Sequence, residues 1–418
     1  MEASTCPSDD FGPLVEKEPS SVAEVGELVR QAAAEGQALY PLGGRTMLGL
    51  GLPPSQPGWG VDLRRLNGVI DYPARDMTIT VQAGITLAAL RDVLSREQQQ
   101  LPIDVPQADR ATLGGVLATN TSGPRRYGYG TLRDYVIGIS TINDEGHEVK
   151  AGGRVVKNVA GYDLCKLHIG ALGTLGIITQ VTLKVKPLPE ARALMTFGCE
   201  TQALEDVLQH LHASPTRPVA VEVLNQAAAR RLSEQSGQDV PDSPWLVAVL
   251  FEEKQATVAW QIQQLEQELP RERIHVLTTR HAEAALALVG PLVELTAEAD
   301  AGVTFKANVL PRAVAEFCRQ ADDLPDALLL QAHAGNGIVR GHARGELTQE
   351  RAATWLHALR TAAGAAAGNL IVLRCPSAWK KTLPVWGEPR GDAWLMREIK
   401  KQLDPRGLFN AGRFIDGI

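Results

Sequence analysis

The stretch YPLGGRTMLGLG, residues 40–51, sets Gly43, Gly44, Gly49 and Gly51 close together. Ordered glycine loses more backbone entropy than any other residue, about 0.5–1 kcal/mol relative to alanine within regular structure. Such a stretch is expected where backbone turns through positive φ or where something approaches it closely, and a phosphate is the candidate. Two phosphate motifs are excluded. A P-loop needs Lys after its second glycine, and the spacing Gly44–Gly49 is followed by Leu50. The dinucleotide fingerprint needs a glycine turn that opens a helix, and GLGLPPSQPG runs into prolines instead. What remains is a loop whose amides point inward as an anion-binding nest, with Thr46 able to add a hydroxyl. The alternative is a surface turn that uses glycine for its geometry alone.

More glycine tracts follow: TLGGVLATNTSG (112–123), YGYG (127–130), VAGYD (159–163) and IGALGTLGII (169–178). One phosphate does not need them all. A long ligand with a pyrophosphate and flat rings at both ends does, and FAD is such a ligand.

A second set of chemical groups lies in LQAHAGNGIVRG, where His333 precedes Arg340, and in VLRCPSAWK, which holds Arg374. His333 reads either as a general base or as a histidine hydrogen-bonded within a sheet. Arg340 reads either as a bidentate carboxylate clamp, with Arg374 as its second arm, or as an ordinary salt-bridge residue. Arginine keeps its proton and does not ligate metals, so no metal is expected on this segment. Cys6, Cys165, Cys199, Cys318 and Cys375 are scattered without a CxxC pair. That spacing excludes zinc ribbons and the usual iron–sulfur runs, and it gives no disulfide framework, so a reducing cytoplasm is expected.

The elements that must position these groups are legible in part. PSSVAEVGELVRQAAAEG has Ser21 three residues before Glu24, a capping box, then Val25, Leu28, Val29 and Ala32 at helical spacing, with Gly36 as its stop. QALYPL reads as a strand that feeds the glycine loop. GVIDYPARDMTITVQAG reads as two strands joined at Pro73–Asp76, and Thr86 caps a helix through about Gln99. YVIGISTINDEGHEV is an alternating hairpin, and a strand from Ile177 to Lys186 follows. After Pro189 the texture changes to helices and strands in alternation, with no visible internal repeat, which predicts an α+β second domain. The chain has 418 residues, 44% hydrophobic and 22% charged, with net charge −6. These values fit two or three soluble domains and argue against a general nucleic-acid binder. The apolar run AALALVGPLVELTAEA is broken by Pro291 and Glu294, so no transmembrane segment is expected.

PLGGRTMLGLG, ATLGGVLATNTSGPRRYGYGTLRD and GALGTLGIIT, in this order, resemble the FAD domain of the vanillyl-alcohol-oxidase or PCMH-type family. DPRGLFNAGRF is similar to that family's closing segment. The resemblance implies an α+β chain: a two-lobed PCMH-type FAD-binding domain, then a smaller α+β, ferredoxin-like cap, with a C-terminal tail returning to the FAD domain. The boundaries are a flexible N-terminus at 1–14, the FAD domain at 15–190, the cap at 191–395 and the closing segment at 396–418. Carried over residue by residue, it assigns the pyrophosphate to Pro41, Leu42, Gly43, Gly44, Arg45, Thr46 and Met47. Thr112, Leu113, Gly114, Gly115 and Val116, with Asn120, Thr121 and Gly123, would lie along the pyrophosphate and isoalloxazine. Gly173, Thr174, Gly176, Ile177 and Ile178 would support the adenosine end, and Asn410 would come from the closing segment. Many relatives attach flavin through a His in the first loop. Gly43–Met47 has neither His nor Cys, so non-covalent FAD is expected.

GGRVVKNVAGYDLCKLHIGALGTLGIITQVTLKVKPLP is further similar to the FAD-binding E subunits of bacterial glycolate oxidases. Those subunits work with a paralogous catalytic flavoprotein subunit and an iron–sulfur subunit. This likeness implies an oxidoreductase that carries electrons from glycolate or another small 2-hydroxy acid, cytoplasmic or peripheral to the inner membrane through its partners. Catalytic D-2-hydroxyacid dehydrogenases of the family carry H-x-G-D-G-N-x-H. Here the segment keeps His333, reads Asn336 in place of the Asp and ends on Arg340. That departure favours the subunit reading over a self-sufficient D-lactate-type dehydrogenase.

Overall fold

The computed structural model describes residues 10–12, 14–153, 163–298, 301–388 and 391–418. Expectations placed on residues 1–9 and 13, including Cys6, and on most of the VAGYD tract lie outside the described residues. The chain divides into two compact units. The first comprises residues 1–122, 131–188 and 388–418, and the second residues 123–130 and 189–387. The segment 123–130 therefore groups with the second unit although it sits in sequence inside the first.

In chain order the strands of the first unit are β1 (Val15–Lys17), β2 (Ala38–Leu42), β3 (Gly58–Asp62), β4 (Val69–Asp71), β5 (Thr78–Gln82), β6 (Gln99–Gln100), β7 (Val136–Ile142), β8 (Glu148–Gly152), β9 (Ile177–Lys184) and β10 (Lys186–Pro187). Its longer helices in the N-terminal part are α1 (Val22–Glu35), α2 (Leu87–Ser95) and α3 (Leu113–Thr119). Strands β1, β3 and β2 form a parallel sheet, and β4-β5-β9-β7-β8 an antiparallel one. These are the two lobes. Helix α1 starts where Ser21 accepts from Glu24 N and ends at Gly36 in the left-handed region, φ 64°. The reciprocal bond of the cap goes one residue further back: Ser20 N donates to the Glu24 carboxylate at 2.7 Å. Val25, Val29 and Ala32 bury against Leu39, Val61 and Ile177. Helix α2 stops at Ser95, short of the expected Gln99, because Gln99 and Gln100 pair with β10. The tail returns: Leu39 N donates to Leu408 O and Asn410 N to Leu39 O, so residues 408–410 extend the parallel sheet beside β2. Phe409 is fully buried there.

The second unit is built on one eight-stranded antiparallel sheet. Its strands are β11 (Ala191–Cys199), β12 (Ala220–Asn225), β13 (Trp245–Glu253), β14 (Ile274–His281), β15 (Ala301–Asn308), β16 (Leu328–His333), β17 (Ile338–Arg344) and β18 (Asn369–Arg374). The order β14-β11-β13-β12-β16-β17-β15-β18 is two ferredoxin-like halves, each ordered 4-1-3-2 within itself and joined through β12 and β16. The unit is thus comparable in length to the first rather than smaller, and it is a topological repeat that the sequence does not display. Phe197, Val247, Phe251 and Phe305 occupy one face, with Trp355 of the helix Gln349–Ala365 set against Phe305. On the other face Leu194, Leu224, Leu246 and Leu250 pack with Ala228 and Leu232 of the helix Gln226–Ser236 and Leu288 and Leu292 of the helix Ala282–Glu294. That last helix absorbs the apolar run noted above, Pro291 included. Among the described residues no helix is long and apolar enough to cross a membrane.

Candidate functional site

In the first unit three of the glycine tracts, 40–51, 112–123 and 169–178, converge on one groove of about 420 Å³, counting its open mouth, whereas YGYG falls in the second unit. Of the residues singled out in the sequence, Pro41, Leu42, Gly43, Thr112, Gly114, Gly115, Gly173, Gly176 and Ile178 line it. Leu63, Ala83, Ala118 and Leu172 complete the wall; sequence reasoning missed them because isolated apolar residues carry no signature. The glycines of the first loop act differently from the expectation. Neither Gly43 nor Gly44 has positive φ; the left-handed position falls on Arg45, φ 59°. A Cβ on Gly43 would lie 2.1 Å from Thr112 Oγ1, and one on Gly44 1.8 Å from Arg110 O. The bare backbone is needed so that the first loop can dock on the 110–112 segment, and both loops then share the groove. Gly173 is a different case: a Cβ there would make only ordinary contacts, 3.7 Å from Asn410 Nδ2 and Pro41 Cγ, and what favours glycine is its left-handed backbone, φ 69°.

Other assigned residues support the groove from outside its wall. Leu113 and Ile177 are core residues of the two lobes. The Thr174 hydroxyl donates to Ala171 O at 2.7 Å, and Thr121 Oγ1 bonds Thr119 Oγ1 at 2.6 Å. Arg45 is bound bidentately to Glu16 at 2.9 and 2.6 Å and to Asp62 at 3.0 Å, and the Glu16 bond above all holds it charged well beyond its ordinary range. Its guanidinium is therefore engaged within the protein. Thr46 and Met47 are half-buried and do not line the groove, and Gly123 belongs to the second unit. Asn120 and Asn410 each sit in the left-handed region, and each keeps a buried Oδ1 without a partner among the described residues. Two unsatisfied amide oxygens beside an apolar, backbone-walled groove fit a ligand with flat rings and hydrogen-bond donors.

The second unit gathers a polar row across its sheet. Register places His333 opposite Glu222 on β12, and Gln331 opposite Arg340, which in turn faces Lys306 on β15. Because side chains alternate along a strand, Glu222, Gln331, His333, Arg340, His342, Thr304 and Lys306 share one face. Glu222 is buried and accepts from His333 Nδ1 at 2.7 and 2.9 Å and from Gln331 Nε2 at 2.7 Å. His342 Nδ1 pairs with Thr304 Oγ1 at 3.1 Å. Four buried polar atoms on or between β16 and β17 have no partner among the described residues: Gln331 Oε1, His333 Nε2, Asn336 Oδ1 and His342 Nε2. Native interiors rarely leave such atoms unpaired, so each needs a partner such as ordered water or a bound ligand.

The row is cationic. Burial pushes the Lys306 ammonium down to about 8, helped by the charges of Arg340 and Arg126. Burial lowers Arg340 to about 10, with Glu222 opposing and Arg126 assisting. His342 is driven to about 3 by burial and by Arg340, and is neutral at any working pH. Arg126 belongs to the 123–130 segment, whose Gly128 N donates to Val219 O. The same segment brings Tyr127 against Gly335, where a Cβ would strike the ring at 2.4 Å. Arg374 is exposed at the end of the edge strand β18, where register sets it opposite Thr304. Glu222, Gln331, Lys306, His342 and Arg126 were not singled out in the sequence. The available signal was a charged residue inside an apolar strand run, as in VAVEVLN and VTFKAN.

Residues 13–152 match the family described as FAD binding domain. Glycolate oxidase subunit GlcE of Escherichia coli is 37% identical over 166 residues, 40% of this chain and 47% of that protein. A D-lactate dehydrogenase of Archaeoglobus fulgidus is 26% identical over 330 residues, 78% of this chain and 74% of that one. The structure of p-cresol methylhydroxylase with substrate bound superposes with a TM-score of 0.73 at 14% identity, over 95% of this chain and 88% of that chain. For most of the curated relatives it matches, the chain spans about half of their length or less. The first unit accordingly has the PCMH-type FAD-binding fold, and its cofactor is FAD. The groove fits that cofactor: the residues of the three tracts that wall it are those with exposed backbone or apolar surface.

Proposed function

We propose that this chain is an FAD-dependent oxidoreductase acting on the CH–OH group of a small 2-hydroxy acid. FAD is held non-covalently in the groove of the first unit, with Pro41–Gly43, Thr112–Gly115 and Gly173–Ile178 as its contact segments and Asn120 and Asn410 supplying amides. The four unpartnered atoms around the β16–β17 turn, set beside Lys306 and Arg340, carry the proposal. A 2-hydroxycarboxylate would bring an anion to Lys306 and Arg340 and a hydroxyl that the buried His333 imidazole can bond. Bound flavin supplies the two-electron acceptor. Lys306 and Arg340 fix the carboxylate and so orient C2, and the sheet holds both cations rigid.

The likeness to GlcE favours a place within a glycolate-oxidising complex, beside a paralogous catalytic flavoprotein subunit and an iron–sulfur subunit. Glycolate is then the substrate and glyoxylate the product. Anaerobic titration of the purified chain with glycolate and D-lactate tests the reading. Bleaching of the flavin band by either acid is expected. A flavin that dithionite reduces but neither acid does would overturn substrate oxidation by this chain and leave it as a cofactor-bearing subunit.

A further inference from the structure

We propose that the closing segment, residues 400–413, is a buckle that fixes the walls of the flavin groove, with Lys400 and Arg413 as positioning residues for flavin retention. The proposal rests on the reading of that groove as a non-covalent FAD site. REIKKQLDPRGLFNAGRF starts within the helix Ala393–Leu403, which Pro405 cannot continue. Lys400 and Asp404 stand four residues apart, in the order that adds less to an isolated helix. They are buried all the same, with side-chain exposures of 12% and 0%. An ammonium has three donors, and Lys400 directs one to each of three segments. Its Nζ donates to Asp404 Oδ2 at 2.5 Å, to Phe409 O at 2.9 Å and to Thr174 O at 2.7 Å. Asp404 in turn accepts from Leu408 N and Phe409 N, both at 2.9 Å.

The tail thereby ties two of the groove's glycine tracts together. Asn410 Nδ2 donates to Leu172 O, next to Gly173. Arg413 Nη1 donates to Leu52 O at 2.8 Å, and its Nη2 to Leu48 O and Leu50 O, each at 2.7 Å. Between these arms, residues 408–410 hold Leu39 through both of its backbone groups, just before Pro41 and Leu42 enter the groove wall. The carbonyls of residues 48, 50, 52, 172 and 174 lie outside helix and strand, so no ladder of backbone bonds fixes them. Their positions depend on the side chains that the closing segment sends to them. Neither Lys400 nor Arg413 lines the groove, so each acts on flavin through the wall it holds. A groove preformed in this way binds without first ordering its walls, and its apparent affinity falls with the competent fraction once an arm is lost.

The test compares full-length apoprotein of wild type, Lys400→Met and Arg413→Met by amide hydrogen exchange and by titration with FAD. Lys400→Met is expected to speed exchange over residues 172–178 and leave residues 48–52 at the wild-type rate. Arg413→Met is expected to do the reverse. General destabilisation would speed both stretches together, so the pattern separates the buckle from a merely structural role. If the loss of an arm leaves about one apoprotein molecule in ten competent, the Kd for FAD rises about tenfold, and each variant should show at least that. Lys400→Met combined with Asp404→Asn removes both charges, and serves if the unpaired Asp404 keeps the single variant from folding. A wild-type Kd in either variant, or exchange that rises equally over 172–178 and 48–52, overturns the buckle. A wild-type apoprotein that takes up no FAD, or flavin that stays with the denatured chain, defeats the cofactor reading instead, and the exchange pattern then decides the buckle alone.

Discussion

Lys306→Met separates two consequences of a buried ammonium. The depression of Lys306 from 10.5 to about 8 means that the folded chain holds this proton less tightly than the unfolded chain does. At about 1.4 kcal/mol per unit, keeping it charged at pH 7 opposes folding by at most about 3.5 kcal/mol. The side chain is only half-buried, so water screening reduces this to roughly 1–3 kcal/mol. Methionine of similar reach removes the penalty, and unfolding at pH 7 should move up by roughly 2–8 °C. The sign with pH follows from proton counting. Between pH 8 and 10.5 the unfolded chain binds the extra proton, so wild type gains stability over that window while Lys306→Met does not. The gap between them should therefore close as pH rises from 8.

Anion binding changes in the opposite sense. Removing one charge-assisted hydrogen bond should weaken a carboxylate by about 10–100-fold. Calorimetric titration with oxalate, which has no C–H bond to lose, reads this without turnover. Wild-type affinity should fall towards tenfold per pH unit above 8, while Arg340, lowered only to about 10, remains charged up to pH 9.5. Lys306→Met should be flat over the same range. A variant that binds oxalate as tightly as wild type, or a wild-type affinity constant from pH 7 to 9.5, would refute the carboxylate site.

Gly44→Val puts a branched side chain where even a Cβ lies 1.8 Å from Arg110 O, so the first loop should lift off the 110–112 segment. Flavin content, read as the ratio of visible to 280 nm absorbance, should drop below a tenth of wild type. Denaturation of the holoprotein should release flavin into the ultrafiltrate, because no His or Cys stands in Gly43–Met47 to tether it; flavin that stays with the chain would contradict this. Phe409→Ala empties a fully buried position where the tail pairs with Leu39, and should cost about 3–5 kcal/mol in denaturant unfolding of the first unit.

Local chemistry in the chain accounts for what was legible beforehand. Ser21 and Gly36 bound α1 as read because a cap is made by residues a few positions apart. The tracts at 43–51, 112–123 and 170–178 were legible because glycine is kept where backbone turns through positive φ or where something lies close. What lies close to Gly43 and Gly44 proved to be Thr112 and Arg110, residues some seventy positions away that no spacing rule could pair with them.

Arg340 and His333 could likewise be read as candidates from their residue types alone, and type also showed that an arginine would not hold a metal. Their partners were decided by strand register. Glu222 meets His333 only because β12 pairs with β16 at the junction of two ferredoxin-like halves, and Lys306 meets Arg340 only because β15 pairs with β17. Arg374, equally plausible by type, falls on an exposed edge. A sequence determines which groups are available and how each turn or cap is made, since those depend on neighbours in the chain. Which charges share a buried face depends on long-range pairing, and only the folded sheet settled it.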